Sequence, residues 1–206
     1  TLNAIFRRLS DDKKDMLPRN PEGFAATFIG QIKEALANHV ADRIEFVIAE
    51  DAAVYEIEAL FPPHKDFPQR ELVPANDKGL YDQMQIDSHV EEHFVDRRLN
   101  QDDHIICYFK FPPAFRIHFP KMIGNYNPDW GILRRDDDGR TILELVRETK
   151  GTEELHELQF PHEKRKIVAA HKHFDQIGVD YRVITDQTPD WWQQGDDAAS
   201  QPKLDV

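Results

Sequence analysis

Residues 128–151 read PDWGILRRDDDGRTILELVRETKG. Two apolar runs, Trp130 to Leu133 and Ile142 to Val146, flank Asp136-Asp137-Asp138-Gly139. An Asp-rich stretch ending in Gly closes tight turns, so the spacing predicts a β-hairpin with strands over 129–134 and 141–148. In a hairpin the start of the first strand lies beside the end of the second. Asp129 therefore falls at the same end as Glu148, Thr149 and Lys150, and strand alternation puts 148 and 150 on one face and Thr149 on the other.

Two carboxylates converging at one edge form a hard-oxygen site suited to Mg²⁺, which keeps several waters and also takes a phosphate oxygen. An ammonium beside them can orient or help deprotonate an attacking water, so these are the components of phosphodiester hydrolysis. Spacing alone does not separate this reading from charged residues at an exposed strand end, because the chain holds 38 acidic residues.

Working outward, Pro161 opens a helix to about Ile177, with Ile167, Ala170, His171 and Phe174 on one side and Gly178 as its stop. Tyr181 to Thr185 reads as a last strand. Upstream, Asp87 to Asn100 reads as a helix, and His104 to Phe111 and Arg116 to Phe119 as strands around Pro112-Pro113. Nearer the N-terminus, Asn20 and Pro21 mark a helix start. Phe24, Phe28, Ile29, Ile32, Ala35 and Leu36 then recur at helical spacing, predicting an amphipathic helix to about Arg43. Ile44 to Ala49 and Val54 to Leu60 read as short strands, and the proline-containing 61–80 as a connector. The expected architecture is α/β: a mixed central sheet flanked by helices over 81–185, preceded by a smaller α+β segment over 1–80. An acidic, flexible tail is expected over 186–206, where five Asp stand against Lys203 alone.

The chain of 206 residues is long enough for a sizeable core. No apolar run approaches the roughly 20 residues of a membrane span, and no signal-peptide pattern is present. The single cysteine, Cys107, lies in an apolar run and reads as a small buried hydrophobe, which suits a reducing cytoplasm. A start at Thr1 rather than Met leads us to expect a piece of something longer. The net charge of −12 is opposite to a basic nucleic-acid footprint, although Arg134-Arg135 and Lys164-Arg165-Lys166 form local basic clusters.

The lead-in Gly124-Asn125-Tyr126-Asn127-Pro128-Asp129-Trp130, followed by Glu148-Thr149-Lys150-Gly151, resembles the endonuclease domain at the C-terminal end of the restriction (Res) subunit of type III restriction–modification enzymes. The similarity continues through Glu163-x-x-Lys166-Ile167 and His173-Phe174, and upstream through Asp87-Ser88-x-x-Glu91-x-x-Phe94 and Lys110-Phe111-Pro112. It covers about residues 81–185. The resemblance implies a PD-(D/E)XK nuclease fold and cleavage of double-stranded DNA, with Mg²⁺ as cofactor and Mn²⁺ as its substitute. Asp129 and Glu148 would be the metal ligands and Lys150 the catalytic lysine, with Glu91 as a further active-site acid. It also implies a methyltransferase (Mod) subunit and a helicase portion as partners. No phosphate-binding Gly-x-x-x-x-Gly-Lys-Ser/Thr loop is present, so ATP would belong only to the missing helicase part.

Several residues carry competing readings. Ser88-x-x-Glu91 is also a capping box, yet Glu91 shares the helical arc of Ile86, Val90, Phe94, Val95 and Leu99, where a carboxylate is costly without a cation. His89-Val90-Glu91-Glu92-His93 matches the H-x-x-E-H signature of inverted zinc peptidases, although His89, Glu92, His93 and Asp96 lie on the opposite, water-facing arc. Glu163 and Lys166 are an exposed ion pair one turn apart, or else Lys166, with Lys164 or Arg165, touches DNA phosphates. Arg134 and Arg135 are further DNA-contact candidates. Tyr126 and Asn127 either shape the site or form a turn, Trp130 reads as core, and Trp191-Trp192 covers an apolar edge or meets a partner. Besides a nuclease, a non-catalytic module docking the motor or the Mod subunit fits these residues, and a zinc metallopeptidase is the remote third reading.

Overall fold

A computed structural model describes residues 6–47, 56–66, 72–158 and 160–193. In chain order the elements are helices α1 (Asp11–Arg19), α2 (Pro21–Arg43) and α3 (Ile57–Leu60), strands β1 (Leu72–Pro74) and β2 (Gln83–Gln85), and helix α4 (His89–Phe94), which runs into a π-helical turn (Val95–Leu99). Strands β3 (Ile105–Lys110), β4 (Ile117–His118), β5 (Asn125–Tyr126), β6 (Trp130–Arg135) and β7 (Ile142–Thr149) follow. A 3₁₀ turn (Leu155–Glu157), helix α5 (Pro161–Gln176) and strand β8 (Asp180–Ile184) complete the order.

The expected hairpin is the centre of the molecule. β6 and β7 pair antiparallel from Trp130↔Arg147 to Arg135↔Ile142. Its turn is closed by Asp136 N–H donating to the Thr141 carbonyl at 2.9 Å, while the Asp136 carboxylate accepts from the Arg140 and Thr141 amides. β3 pairs antiparallel with β6, and β8 pairs parallel with β7, giving the order β3-β6-β7-β8. A parallel neighbour needs a crossover, and α5 supplies it. At the end of α5, Gly178 adopts φ +71° so that Val179 N–H reaches the Phe174 carbonyl at 2.9 Å. The expected mixed sheet flanked by helices is thus present.

Alternation along β7 sorts its side chains between two cores. Leu145 joins Trp130, Ile132, Ile184, Phe94, Leu99 and Trp191 under α4 and the π-helical turn. Val146 joins Tyr126, Tyr181, Ile167, Ala170 and Phe174 under α5. On β6, a Cβ at Gly131 would meet the Phe109 ring 2.3 Å away, so only glycine lets that ring lie across the strand.

The N-terminal expectations need correction. Asn20 does cap α2, accepting from Gly23 N–H at 2.8 Å. Its apolar arc, however, is not a core face: Ile29, Ile32 and Leu36 are 50%, 44% and 48% exposed. Only Ala37 and Ala41 are buried, where the helix meets α5 and Glu34 and Asn38 accept from Arg165. Residues 44–47 form no strand, and Ile57–Leu60 is a helical turn rather than part of a strand; residues 48–55 lie outside the described residues. The expected division at residue 80 cuts through a packed unit. β1 pairs with β2, Val73 and Ala75 enter the first core, and Lys78 and Leu80 bond the backbone of Tyr108 on the edge strand β3. Nor does the fold stop at 185. Trp191 is 1% exposed, and Trp192 lies over the Arg134 guanidinium at 4.4 Å. Cys107 is half-buried rather than fully enclosed.

Candidate active site

Continuing the β6–β7 register by one residue sets Asp129 opposite Glu148, with Lys150 just past the end of β7. Asp129 is anchored at its backbone by Phe111 N–H, which donates to its carbonyl at 2.9 Å. Its Oδ2 accepts from both the amide and the hydroxyl of Thr149, each at 2.8 Å, and that hydroxyl accepts from Trp130 Nε1 at 3.3 Å. Oδ1 accepts no hydrogen bond among the described residues.

Glu148 is 4% exposed and is held from the second core. Tyr126 Oη donates to its Oε2 at 2.6 Å, and Lys150 Nζ lies 3.0 Å from its Oε1. Burial pushes the Glu148 carboxyl up to about 7, with the charge of Asp129 adding to the rise and Lys150 and Tyr126 opposing it. Burial works against the Lys150 ammonium, but Glu148, Asp129 and Glu163 outweigh it and hold its pKa above the ordinary lysine value. Burial, then the Glu148 charge, keeps the Tyr126 and Tyr181 hydroxyls protonated well past their usual range.

Beside these groups opens a cavity of about 270 Å³ lined by Asn125, Tyr126, Glu148, Lys150, Glu163 and Lys166, among others. Asn125 comes from β5, and Glu163 and Lys166 from the first turns of α5. Glu163 and Lys166 form no ion pair with each other among the described residues; both face this cavity.

Other candidates sit elsewhere. Glu91 is buried, as its helical phase requires, but its Oε2 accepts from Lys110 Nζ at 2.6 Å and from Asp87 N–H at 2.9 Å. It makes no hydrogen bond or ion pair with Asp129 or Glu148 among the described residues; the acid expected in the site is one arm of an ion pair with Lys110, the residue paired with Trp130 next to Asp129. The capping box is present in altered form: Ser88 accepts from Glu91 N–H, while Glu91 reaches back past Ser88 to Asp87. Arg134 is not a surface cation. It is 3% exposed and ion-paired to Asp102 and Asp137, while exposed Arg135 lies at the turn end of the hairpin, opposite the carboxylates. Lys164 donates to the His156 carbonyl and Arg165 is buried against α2, leaving Lys166 as the member of that basic run at the cavity. Asn127 lines the cavity, and it also clamps a loop by donating to the carbonyls of Pro112 and Phe115. Sequence reasoning missed Tyr181 and the Lys110 partner of Glu91.

The zinc reading does not survive. His89 pairs with Glu92 and His93 with Asp186, and among the described residues no three His, Cys, Asp or Glu side chains gather as a zinc site requires. Magnesium asks for less, commonly one or two protein carboxylates with water and substrate supplying the rest. Asp129 and Glu148 fit that demand. Each commits one oxygen to a neutral donor, and the charge of one raises the proton affinity of the other, a repulsion that a cation relieves.

No helix among the described residues is long and apolar enough to cross a membrane. No curated protein and no solved structure matches the chain. A family model described as "Endonuclease domain" (RE_endonuc) matches residues 77–187, more than half of the 206 residues, and encloses the whole sheet and the cavity beside it. The chain belongs to this endonuclease-domain family and carries a nuclease domain of the restriction type.

Proposed function

We propose that this domain hydrolyses phosphodiesters of double-stranded DNA with Mg²⁺, for which Mn²⁺ substitutes, and that it is the nuclease part of a type III Res subunit. The observation that carries the reading is the meeting of Asp129, Glu148 and Lys150 at one end of the β6–β7 hairpin, beside a cavity large enough for a phosphate group. Asp129 and Glu148 hold the cation. When bound, magnesium supplies Lewis acidity, easing deprotonation of water and offsetting charge on the phosphate. Lys150, 3.0 Å from Glu148 and lining the cavity, is a positive donor toward phosphate or attacking water. Lys166 on α5, which also lines the cavity, contacts the DNA backbone.

The type III context rests on the ordered motifs from Asp87 to Phe174. In that setting the Mod subunit, the helicase portion and ATP belong to the rest of the enzyme. With a net charge of −12 the isolated chain has little non-specific affinity for DNA and cuts weakly by itself.

The test is cleavage of supercoiled plasmid by the full restriction complex in Mg²⁺, comparing wild type with Asp129→Ala and Lys150→Ala. Both variants are expected to lose cutting. Undiminished cutting would leave the domain as a non-catalytic assembly module.

A further inference from the structure

A buried chain of hydrogen bonds ends on Glu148, and neither the endonuclease assignment nor the carboxylate–lysine constellation accounts for it. Tyr126 Oη donates to Glu148 Oε2 at 2.6 Å, so the contact of 2.8 Å between Tyr126 and Tyr181 must be donated by Tyr181. A phenol has one proton, and Tyr126 has spent its own on the carboxylate. Both rings are clamped. Tyr126 stacks on Phe119 at 6.1 Å, Tyr181 stacks on Phe174 at 5.1 Å, and the two tyrosines meet edge to face at 6.2 Å. They arrive from β5 and β8, separated by 55 residues. Apolar packing alone would be served by phenylalanine at both positions, since a buried hydroxyl is costly unless it is bonded.

The effect on Glu148 is geometric. Its side chain has two oxygens; Tyr126 holds Oε2 from inside the core, and Oε1 is the one shared with Lys150. A neutral donor on the inner oxygen fixes the plane of the carboxylate without removing its charge, which is how partners behind a ligand orient it toward a cation.

We propose that Tyr126, itself set by Tyr181, is a positioning residue that presents Glu148 Oε1 to the divalent cation. This rests on the reading of Glu148 as a cation ligand. The relay also has an order, because Tyr181 acts only through Tyr126. Loss of the first hydroxyl therefore hides loss of the second.

The test is Mn²⁺ binding to the full 206-residue chain by titration calorimetry, for wild type, Glu148→Ala, Tyr126→Phe, Tyr181→Phe and the double phenylalanine variant, with a thermal melt in chelator for each. Glu148→Ala is expected to abolish binding. Tyr126→Phe should weaken it by about tenfold, Tyr181→Phe by a smaller factor, and the double variant no more than Tyr126→Phe alone. In the full restriction complex, Tyr126→Phe should shift plasmid cutting to higher Mn²⁺ and recover the wild-type rate at saturation, a split that general loss of structure would not produce. Tyr126→Phe affinity within twofold of wild type, with binding still dependent on Glu148, overturns the proposal and leaves the cation reading standing. Wild-type binding that survives Glu148→Ala, or no wild-type binding at all, overturns the cation reading and this proposal with it. Should Tyr126→Phe fail to fold, Tyr181→Phe decides: unchanged affinity there overturns the relay.

Discussion

Thr149 bonds Asp129 twice, through its amide and through its hydroxyl, each donating to Oδ2 at 2.8 Å. Trp130 in turn donates to that hydroxyl, so Asp129 is held from the core beneath α4. Glu148, its neighbour across the ladder, is held by Tyr126 from the core beneath α5. The two carboxylates are thus steadied from opposite sides of one sheet, and each keeps an oxygen outside the neutral donor's grip.

Removing the hydroxyl tests the first of these grips. Thr149→Val keeps the shape and the strand preference, but it strips one donor from Asp129 and strands Trp130 Nε1. We expect a loss of about 1–2 kcal/mol in urea unfolding and roughly tenfold slower plasmid cutting by the full complex. Thr149→Ser should restore most of both.

Glu148 makes a prediction about stability and pH. Its carboxyl rises from 4.5 to about 7 in the folded chain, so the native state binds the proton more tightly than the unfolded state does. The stabilisation is complete below the unfolded value and is lost as pH climbs through about 7, a change of order 3 kcal/mol. Glu148→Gln stays neutral throughout. In chelator it should melt higher than wild type at pH 8, with the gap closing toward pH 5, and it should gain nothing from Mn²⁺. Parallel pH curves for the two proteins would contradict this.

Lys166 and Arg135 separate a cavity-facing cation from a distant one. Lys166→Ala should raise the KM for DNA and reduce the salt slope of binding by about one. Arg135→Ala, at the turn end of the hairpin, should leave both within error. Cleavage kinetics and DNA binding by the full complex across a series of salt concentrations provide the check.

Gly131 is a packing prediction. Alanine there drives a methyl into the Phe109 ring, and we expect a destabilisation of about 1–3 kcal/mol in a denaturant melt. Phe109→Leu in the same chain should return part of it.

The hairpin was legible because two local signals agree: apolar strands on both sides, and an Asp-rich, Gly-containing turn between them. Glu91 was legible as a buried acid from helical phase, but its partner Lys110 lies 19 residues away on another element, so the sequence did not say whether it faced a cation side chain or the site. The Arg134-Arg135 doublet misled for a plain reason. Consecutive strand residues point to opposite faces, so one arginine of such a pair on a covered sheet turns inward, and Arg134 does. Tyr181 was invisible because an isolated tyrosine in an apolar strand looks like core filler until its hydroxyl is seen to meet Tyr126. On α2 the helical spacing was right and its meaning was not, since periodicity reports a stripe and not what covers it. Val54 to Leu60 shows the familiar ambiguity of short apolar runs, with 57–60 folding as a helical turn.

Arg147, beside Glu148 in β7, is fully buried, and its Nε donates to the Trp191 carbonyl at 2.6 Å while Nη1 pairs with Asp180 at 2.9 Å. The family match ends at residue 187, short of that carbonyl. Trimming the chain at that point would unfasten a charged group inside the first core. The same link ties Trp191, through one guanidinium, to the residue next to the carboxylate on which the chemistry is proposed to turn.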